Sequence, residues 1–293
     1  MKIATAVKSP YLVQDNGEFR VPHAATKPPK KAPDKAACKA RLQELVAEMA
    51  ELQDVLYASD SRSLLLVFQA MDAAGKDSTI RAVLSGINPA GCHVTSFKQP
   101  TANELEHDFL WRSTLALPER GRIGVFNRSY YEEVLVVRVH PEYLKNQRLP
   151  ALPAKLDTLW EQRYESIREY EKHLARNGTV IVKFWLNVGK AEQSQRFLAR
   201  IAEPEKNWKF NSGDIAERAH WRDYMQAYED AINATSRPHA PWYAIPADSK
   251  SYMRMAVAEV IVDTLKKMKL SYPLLAVEEK ARFAEMEQHL KNE

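Results

Sequence analysis

The stretch FQAMDAAGKDSTI, residues 68–80, decides the fold class, because it places small residues and a lysine directly after the apolar run SLLLV. Such a junction between a strand and a helix is typical of phosphate-binding loops, whose usual spelling is G-x-x-x-x-G-K-[ST]. Here Ala70 replaces the first glycine, and Asp77 follows Lys76 where serine or threonine is usual. The stretch therefore predicts a phosphate-binding loop that departs from the usual sequence pattern. The alternative is a turn of small residues followed by a lysine that has no role in binding.

The residue types of this loop suit an anion. Ala73, Ala74 and Gly75 let backbone N–H groups approach a phosphate closely, and the following helix adds the positive end of its dipole. Lys76 contributes a cation. Asp72 would repel a bound phosphate unless a metal ion or a proton lay between them, so we expect it to hold Mg²⁺ or to accept a proton. A plain helix cap at Asp72 is the alternative.

Apolar runs that read as buried strands alternate with helical segments along most of the chain. This alternation predicts an α/β fold with a mostly parallel sheet. The predicted strands are SLLLVFQA (63–70), HVTSF (93–97), RIGVFN (122–127), TVIVKFWLNV (179–188) and WYAIPA (242–247).

The helices are predicted from apolar spacing and from capping residues. A long amphipathic helix covers about residues 35–57, a core helix about 252–268, and an amphipathic tail helix 277–291. Thr101 followed by Glu104 is a capping box. Residues 1–35 are rich in proline and lysine, which favours an extended, solvated tail over one docked on the body. We expect residues 1–293 to form a single domain.

Composition excludes several classes of protein. The 293 residues are 45% hydrophobic, enough for a sizeable core, and the net charge of +4 is too mild for a general nucleic-acid coat protein. The two cysteines imply no disulfide framework. The N-terminal residues show no signal-peptide core, and no apolar run reaches membrane-spanning length. We therefore expect a cytoplasmic protein without membrane or nucleic-acid partners.

Polar residues follow the predicted strands at the end where a parallel sheet binds its ligands. Asn127 and Arg128 come directly after the third strand, and an arginine there can bind phosphate oxygens bidentately. Glu132 and Glu133 follow and could serve a metal ion or a nucleotide, although a solvated helix face is expected for one of them. A third polar cluster occupies residues 187–190.

A basic segment covers about residues 200–222 and reads as a mobile lid. Phosphoryl transfer requires cations around the spread charge and shielding from water, and such a segment offers both. A plain pair of charged helices is the alternative, particularly for the last two cations. The cations in and just before the segment are Arg196, Arg200, Lys206, Lys209, Arg218 and Arg222.

Together these segments resemble the type-2 polyphosphate kinase family. The matching motifs are AMDAAGKD, NPAGCHVTSFKQPT, FNRSYYEE, RFLARI, EKNWKF and PWYAIPAD, in order along most of residues 64–270. The resemblance implies a P-loop kinase-like three-layer fold with a helical lid and dependence on Mg²⁺. It also implies phosphoryl transfer between inorganic polyphosphate and AMP, ADP or ATP, in a homo-oligomer.

The resemblance also implies roles for single residues. The family loop G-x-D-x-x-G-K places its aspartate on Asp72 and its lysine on Lys76. The residues expected to bind phosphate are Ala73, Ala74, Gly75, Lys76, Asp77 and Lys98. Many members have an aspartate where this chain has Asn127, so Asp72 and Asn127 would be the metal ligands here.

Further roles concern the acceptor and the lid. Arg128 would bind the transferring phosphates, and Glu132 matches a glutamate linked to nucleotide choice in the subgroup that accepts both AMP and ADP. Asn127 and Glu133 would complete the nucleotide site. Arg200 would be the catalytic arginine of the lid, with Arg196, Lys206 and Lys209 beside it.

Two other functions stay open at this point. One is a nucleoside monophosphate kinase with ATP as donor, on the same class of fold. The other is a protein that binds nucleotides or polyanions without turnover, which would show salt-sensitive binding and no nucleotide product.

Overall fold

Within residues 3–209 and 211–293, which the computed structural model describes without the side chains of residues 206, 209 and 212, five strands form one sheet. All four strand pairs are parallel, and the order is β2-β3-β1-β4-β5. The predicted parallel α/β sheet is thereby confirmed. The strands are β1 (Ser63–Gln69), β2 (Cys92–Ser96), β3 (Ile123–Asn127), β4 (Thr179–Asn187) and β5 (Trp242–Pro246).

The central strand β1 is buried along its whole length, and β4 beside it is buried from its second residue onward. Helices therefore cover both faces of the sheet, as parallel strands require. Phe68 and Phe184 stack across the pair, with ring centroids 5.0 Å apart. This rigid centre positions the loop that follows β1.

Helices fill the connections and agree with the predicted segments to within a few residues, except that the predicted tail helix is divided in two at Arg282. The main ones in the described part are α1 (Lys35–Ser59), α2 (Lys76–Val83), α3 (Ala102–Leu105), α4 (Trp111–Thr114), α5 (Val136–Val139), α6 (Leu156–Arg176), α7 (Lys190–Ala202), α8 (Ser212–Glu217), α9 (Trp221–Thr235), α10 (Lys250–Lys267), α11 (Val277–Ala281) and α12 (Phe283–Lys291). Short 3₁₀ turns lie at Val21–His23, Pro89–Gly91, Tyr130–Val134, Pro141–Gln147, Pro204–Lys209 and Arg218–His220. None of the described helices is both long enough and apolar enough to cross a membrane.

Thr101 caps α3 as predicted. Its Oγ1 accepts the backbone N–H of Glu104 at 3.2 Å, and Glu104 Oε2 accepts the backbone N–H of Thr101 at 2.7 Å. Both halves of the capping box are present, so the prediction is confirmed.

The N-terminal segment is docked on the body, so the expectation of a solvated tail is wrong from residue 3 onward. Val13 donates its backbone N–H to the carbonyl of Trp242 at 2.9 Å, and Ala244 donates to the carbonyl of Tyr11 at 2.9 Å. Val7 and Val13 are buried. The segment covers the outer edge of β5, where unpaired backbone groups would otherwise be exposed.

Candidate active site

The loop after β1 turns sharply between residues 70 and 75. Ala73 has φ of 60° and Gly75 has φ of 106°, a left-handed conformation in which glycine carries no steric penalty. Lys76, the first residue of α2, folds back over this loop. Its Nζ donates to the carbonyl of Ala70 at 2.7 Å and lies 3.5 Å from the carbonyl oxygen of Met71. The cation is thus held where a phosphate in the loop would meet it.

Lys76 is buried, and its surroundings work against its charge. Burial lowers the pKa of Lys76 to about 8, and the positive charge of Arg128 contributes in the same direction. The carboxylates of Asp72, Glu132 and Asp77 oppose this effect. A bound phosphate would add negative charge beside Nζ and favour the protonated lysine.

Arg128 joins the loop to the next strand end. Its Nη2 donates to Asp72 Oδ1 at 2.6 Å, and its Nη1 donates to Glu132 Oε2 at 2.9 Å. The charge of Glu132 raises the pKa of Arg128 against the effect of burial, and Asp72 adds to it. The backbone N–H of Arg128 donates to the carbonyl of Phe68 at 3.0 Å. The structure therefore brings together three of the predicted catalytic residues.

A cavity of about 410 Å³ opens beside Arg128 and Glu132, within the size range of small-ligand sites. Lys98 is exposed at this cavity, so it lies beside Arg128 and Glu132 and not within the loop. Arg112 also lines the cavity and was not singled out from the sequence, because nothing in its neighbourhood resembles a motif. Its Nη1 donates to the carbonyl of Lys98 at 2.8 Å, and its guanidinium lies 5.4 Å from the ring centre of Phe97.

Glu132 and Glu133, the two glutamates that follow β3, have different contacts, and neither lies on a solvated face. The side chain of Glu132 is 15% exposed and that of Glu133 only 4%, so that expectation is wrong. Glu133 Oε2 accepts from Arg163 Nη1 at 3.0 Å and from Gln147 Nε2 at 2.6 Å. Glu133 is therefore part of a buried ion pair in the cavity wall.

Oxygen donors suitable for Mg²⁺ lie around the loop. Asp72 carries a side chain that is 30% exposed, and the amide of Asn127 donates to Asp77 Oδ1 at 2.6 Å. No group of three or more His, Cys, Asp or Glu side chains in the described part of the chain is arranged to hold a metal ion alone. Mg²⁺ commonly takes one or two carboxylates and completes its shell with water and substrate phosphates. The donors fit a metal ion shared with phosphate groups.

Arg200 of the predicted lid lies beside an acid and an aromatic ring. Arg200 Nη1 lies 3.5 Å from Asp214 Oδ2, and the Arg200 guanidinium lies 5.3 Å from the ring centre of Phe197. Burial raises the pKa of Asp214, and the charge of Asp72 raises it further. Asp214 is therefore the ion-pair partner of the predicted lid arginine, and nothing in this basic segment singled out that acid. The side chains of Lys206 and Lys209 lie outside the described residues.

Arg196 does not lie with the predicted lid cations but binds backbone carbonyls of the loop. Its guanidinium donates to the carbonyls of Ala73 and Ala74 at 3.1 and 2.6 Å, and to those of Ala247 and Asp248 at 2.6 and 3.1 Å. Because its guanidinium donates to four backbone carbonyls, this side chain positions the loop. Basic composition alone could not distinguish this role from phosphate binding.

Arg218 also supports the loop indirectly. Its Nη1 donates to Gln193 Oε1 at 2.7 Å, and Gln193 Nε2 donates in turn to the carbonyl of Asp72 at 2.9 Å. These contacts favour the alternative stated for Arg218, that it belongs to a packed pair of charged helices.

The parallel sheet, with a phosphate-type loop after its central strand and a helical cover over the strand ends, defines a P-loop kinase-like α/β protein. The chain belongs to the polyphosphate kinase 2 family, since the family model "Polyphosphate kinase 2 (PPK2)" matches residues 32–273. The resemblance seen in the motifs is thereby confirmed.

Individual relatives support the same assignment. The chain is 55% identical over 249 residues to an ADP-polyphosphate phosphotransferase of Rhodopseudomonas palustris, covering 85% of this chain and 86% of the relative. It is 45% identical over 239 residues to an AMP/ADP-polyphosphate phosphotransferase of Meiothermus ruber, covering 82% and 85%. The crystal structure of polyphosphate kinase 2 from Arthrobacter aurescens matches with a TM-score of 0.85 at 38% identity, covering 97% of this chain and 99% of that one.

Proposed function

We propose that this protein transfers phosphoryl groups from inorganic polyphosphate to AMP or ADP, giving ADP and ATP, and that the transfer is reversible. Family membership and the names of the relatives support the donor and the acceptors. The observation that carries the proposal within this chain is Arg128, which spans the loop and the 410 Å³ cavity through its bonds to Asp72 and Glu132. Donor and acceptor phosphates would meet at this guanidinium.

The loop and Lys76 would hold the donor. Backbone N–H groups at the start of α2 face the loop, and the helix dipole favours a phosphate there. Lys76 Nζ contacts the loop carbonyls of Ala70 and Met71, so its ammonium group would lie beside a phosphate bound in the loop. Arg128 and Arg200 would neutralise charge on the moving phosphoryl group, and such preorganised cations stabilise the transition state.

Asp72 and Asn127 would hold Mg²⁺, with Asp77 oriented beside Asn127. When bound, the metal ion would neutralise phosphate charge and orient donor and acceptor oxygens. The acceptor is itself a phosphate anion, so little proton transfer is needed, and positioning and charge stabilisation carry the rate.

The acceptor nucleotide would occupy the cavity beside Arg128. Lys98 and Arg112 would favour its phosphates, and Glu132 would influence whether AMP or ADP is accepted. The two relatives differ on this point, since one is named for ADP and the other for AMP and ADP. A homo-oligomer in the cytoplasm stays a prediction from the resemblance.

The test is a product assay with purified protein and Mg²⁺. AMP or ADP is supplied with either polyphosphate or ATP as donor, and the nucleotides are separated by chromatography. ATP formed from ADP and polyphosphate supports the proposal, and ATP formed from AMP and polyphosphate extends it to both acceptors. Turnover of AMP with ATP but none with polyphosphate would identify a nucleoside monophosphate kinase instead.

A further inference from the structure

Helix α8 carries two acids that bind in different directions. Asp214 Oδ2 lies 3.5 Å from Nη1 of Arg200, the predicted lid arginine. Glu217 is the last residue of the same helix. Its Oε2 accepts the hydroxyl of Tyr224 at 2.6 Å and lies 3.0 Å from Nε2 of His140. One short helix therefore connects Arg200 to two residues outside the predicted lid.

Tyr224 and His140, the two partners of Glu217, belong to the packed part of the molecule. Tyr224 is buried in α9, and α9 packs against α5 and α6. His140 directly follows α5, its side chain is only 14% exposed, and its ring centroid lies 5.5 Å from that of Tyr143. Neither partner lines the 410 Å³ cavity, so the function proposed above leaves both unused.

Polar contacts, more than packing, fix the position of α8. Burial raises the pKa of Tyr224, and its hydrogen bond to Glu217 raises it further, so the hydroxyl keeps its proton and remains a donor. Hydrogen bonds to an ionised carboxylate are roughly twice as strong as those between neutral groups. Gly213, Ile215 and Ala216 are exposed, so their burial contributes little to holding the helix in place.

We propose that Glu217 is a positioning residue for phosphoryl transfer. Its contacts with His140 and Tyr224 fix the end of α8, and α8 orients Arg200 through Asp214. This inference rests on the proposed function, because Arg200 is the lid cation expected to meet the moving phosphoryl group. A guanidinium stabilises a transition state only when it is preorganised, so a small displacement of α8 is enough to reduce its effect.

The kinetic test compares Glu217→Ala and Glu217→Gln with the wild type, using ADP and long-chain polyphosphate. In Glu217→Ala kcat should fall ~10-fold while the KM values of both substrates stay unchanged, because Arg200 acts in the transition state. Glu217→Gln keeps an oxygen that accepts from both partners, so its kcat should stay close to that of the wild type. A wild-type kcat in Glu217→Ala, or an equal loss in Glu217→Gln, would overturn the inference.

A double variant tests whether Glu217 acts through Arg200. The kcat of Arg200→Ala is compared with that of Arg200→Ala combined with Glu217→Ala. Because a displaced arginine matters only when the arginine is present, the second change should lower kcat no further. Losses that multiply would show that Glu217 acts independently of Arg200 and would contradict the proposal.

Two further variants keep the test decisive, with the melting temperature of each as a control for folding. Glu142 Oε1 lies 3.3 Å from Nδ1 of the same histidine, but Glu142 belongs to the turn Pro141–Gln147 outside the predicted lid. Glu142→Ala should therefore leave kcat close to the wild-type value, and a loss equal to that of Glu217→Ala would show a general charge effect around His140. If Glu217→Ala folds poorly, Tyr224→Phe removes one donor only and should lower kcat in the same direction, whereas a wild-type kcat would count against the inference.

Hydrogen–deuterium exchange separates this inference from the proposed function, because it needs no substrate. The backbone amides of α8 should exchange faster in Glu217→Ala than in the wild type, while those of the buried strand β1 keep their rates. Faster exchange in α8 supports the role of Glu217 even if the wild type forms no ATP from polyphosphate, and that failure would then count against the proposed function alone. Unchanged exchange in α8 would overturn the inference, even in an active enzyme.

Discussion

Arg128 Nη2 lies 2.6 Å from Asp72 Oδ1, although 56 positions separate the two residues in the chain. The contact exists because β1 and β3 are parallel neighbours whose carboxyl ends meet at one edge of the sheet. The other side of the guanidinium binds Glu132, which lines the 410 Å³ cavity. This three-residue bridge is the structural basis of the account, and the first two predictions change its members.

Arg128→Lys should lower kcat by at least ~100-fold, as expected when a preorganised electrostatic group is lost. A lysine keeps the charge, but its single ammonium group cannot reproduce the planar fork that contacts Asp72 and Glu132 together. The measurement is steady-state ATP formation from ADP and polyphosphate, with the melting temperature as a control for folding. Arg176→Lys on the exposed end of α6 is the matched variant, and turnover of Arg128→Lys close to that of Arg176→Lys would refute the bridging role.

Asp72→Asn should also lower turnover by at least ~100-fold, and it should raise the Mg²⁺ concentration needed for half-maximal rate. The amide has nearly the same shape but no charge, so it holds a cation less well. The rate is measured as Mg²⁺ is titrated at fixed substrate. An unchanged Mg²⁺ requirement would assign Asp72 to orienting Arg128 and not to the metal ion.

The pH dependence of donor use should follow Lys76. Its pKa is lowered to about 8, chiefly by burial, so the free enzyme loses this cation as the pH rises through that value. Because kcat/KM reports ionisation in the free enzyme, kcat/KM for polyphosphate should be constant below about pH 7 and fall above about pH 8. A profile of kcat/KM that stays flat to about pH 9.5 would show that Lys76 remains charged or is not required.

The buried ion pair between Lys183 of β4 and Glu171 of α6 should contribute to the free energy of unfolding. Lys183 Nζ lies 2.6 Å from Glu171 Oε2, both side chains are fully buried, and Glu171 Oε1 also accepts from the hydroxyls of Tyr130 and Tyr131. Lys183→Met should lower the free energy of unfolding by about 3–5 kcal/mol, because it leaves Glu171 buried without its counter-charge. Urea unfolding measures this change.

The double variant Glu171→Gln with Lys183→Met is the control for that prediction. It removes both charges, so part of the lost stability should return. If the double variant is less stable than Lys183→Met alone, the loss comes from packing or hydrogen bonding and the interpretation by an uncompensated charge is wrong.

The sheet could be predicted because a short apolar run such as SLLLV between helical segments is typical of a buried parallel strand. The loop could be predicted because its small residues and its lysine suit an anion. The strand order could not be read in the same way, since pairs such as Leu64 with Val180 depend on contacts far apart in the chain. The docking of the N-terminal segment was missed for a related reason. Val7 and Val13 lie in short apolar stretches that show no helix or strand period, and their burial depends on the edge of β5.

For the residues of the site, the sequence predicted which ones lie close together better than it predicted what each of them binds. Arg128 and Glu132 were placed together by their position after β3, and the structure brings them into contact. Arg196 and Glu133 carry the same charges as functional residues, yet one binds backbone carbonyls and the other a buried arginine. Such assignments depend on which neighbours the fold supplies, which composition and spacing do not specify.

The most direct test of the central claim follows ATP formation from ADP and long-chain polyphosphate in parallel reactions of the wild type and Arg128→Ala. The account predicts rapid ATP formation by the wild type and a rate at least ~100-fold lower in the variant, with both proteins folded. Failure of the wild type to form ATP from polyphosphate, or equal rates in the two proteins, would contradict the account.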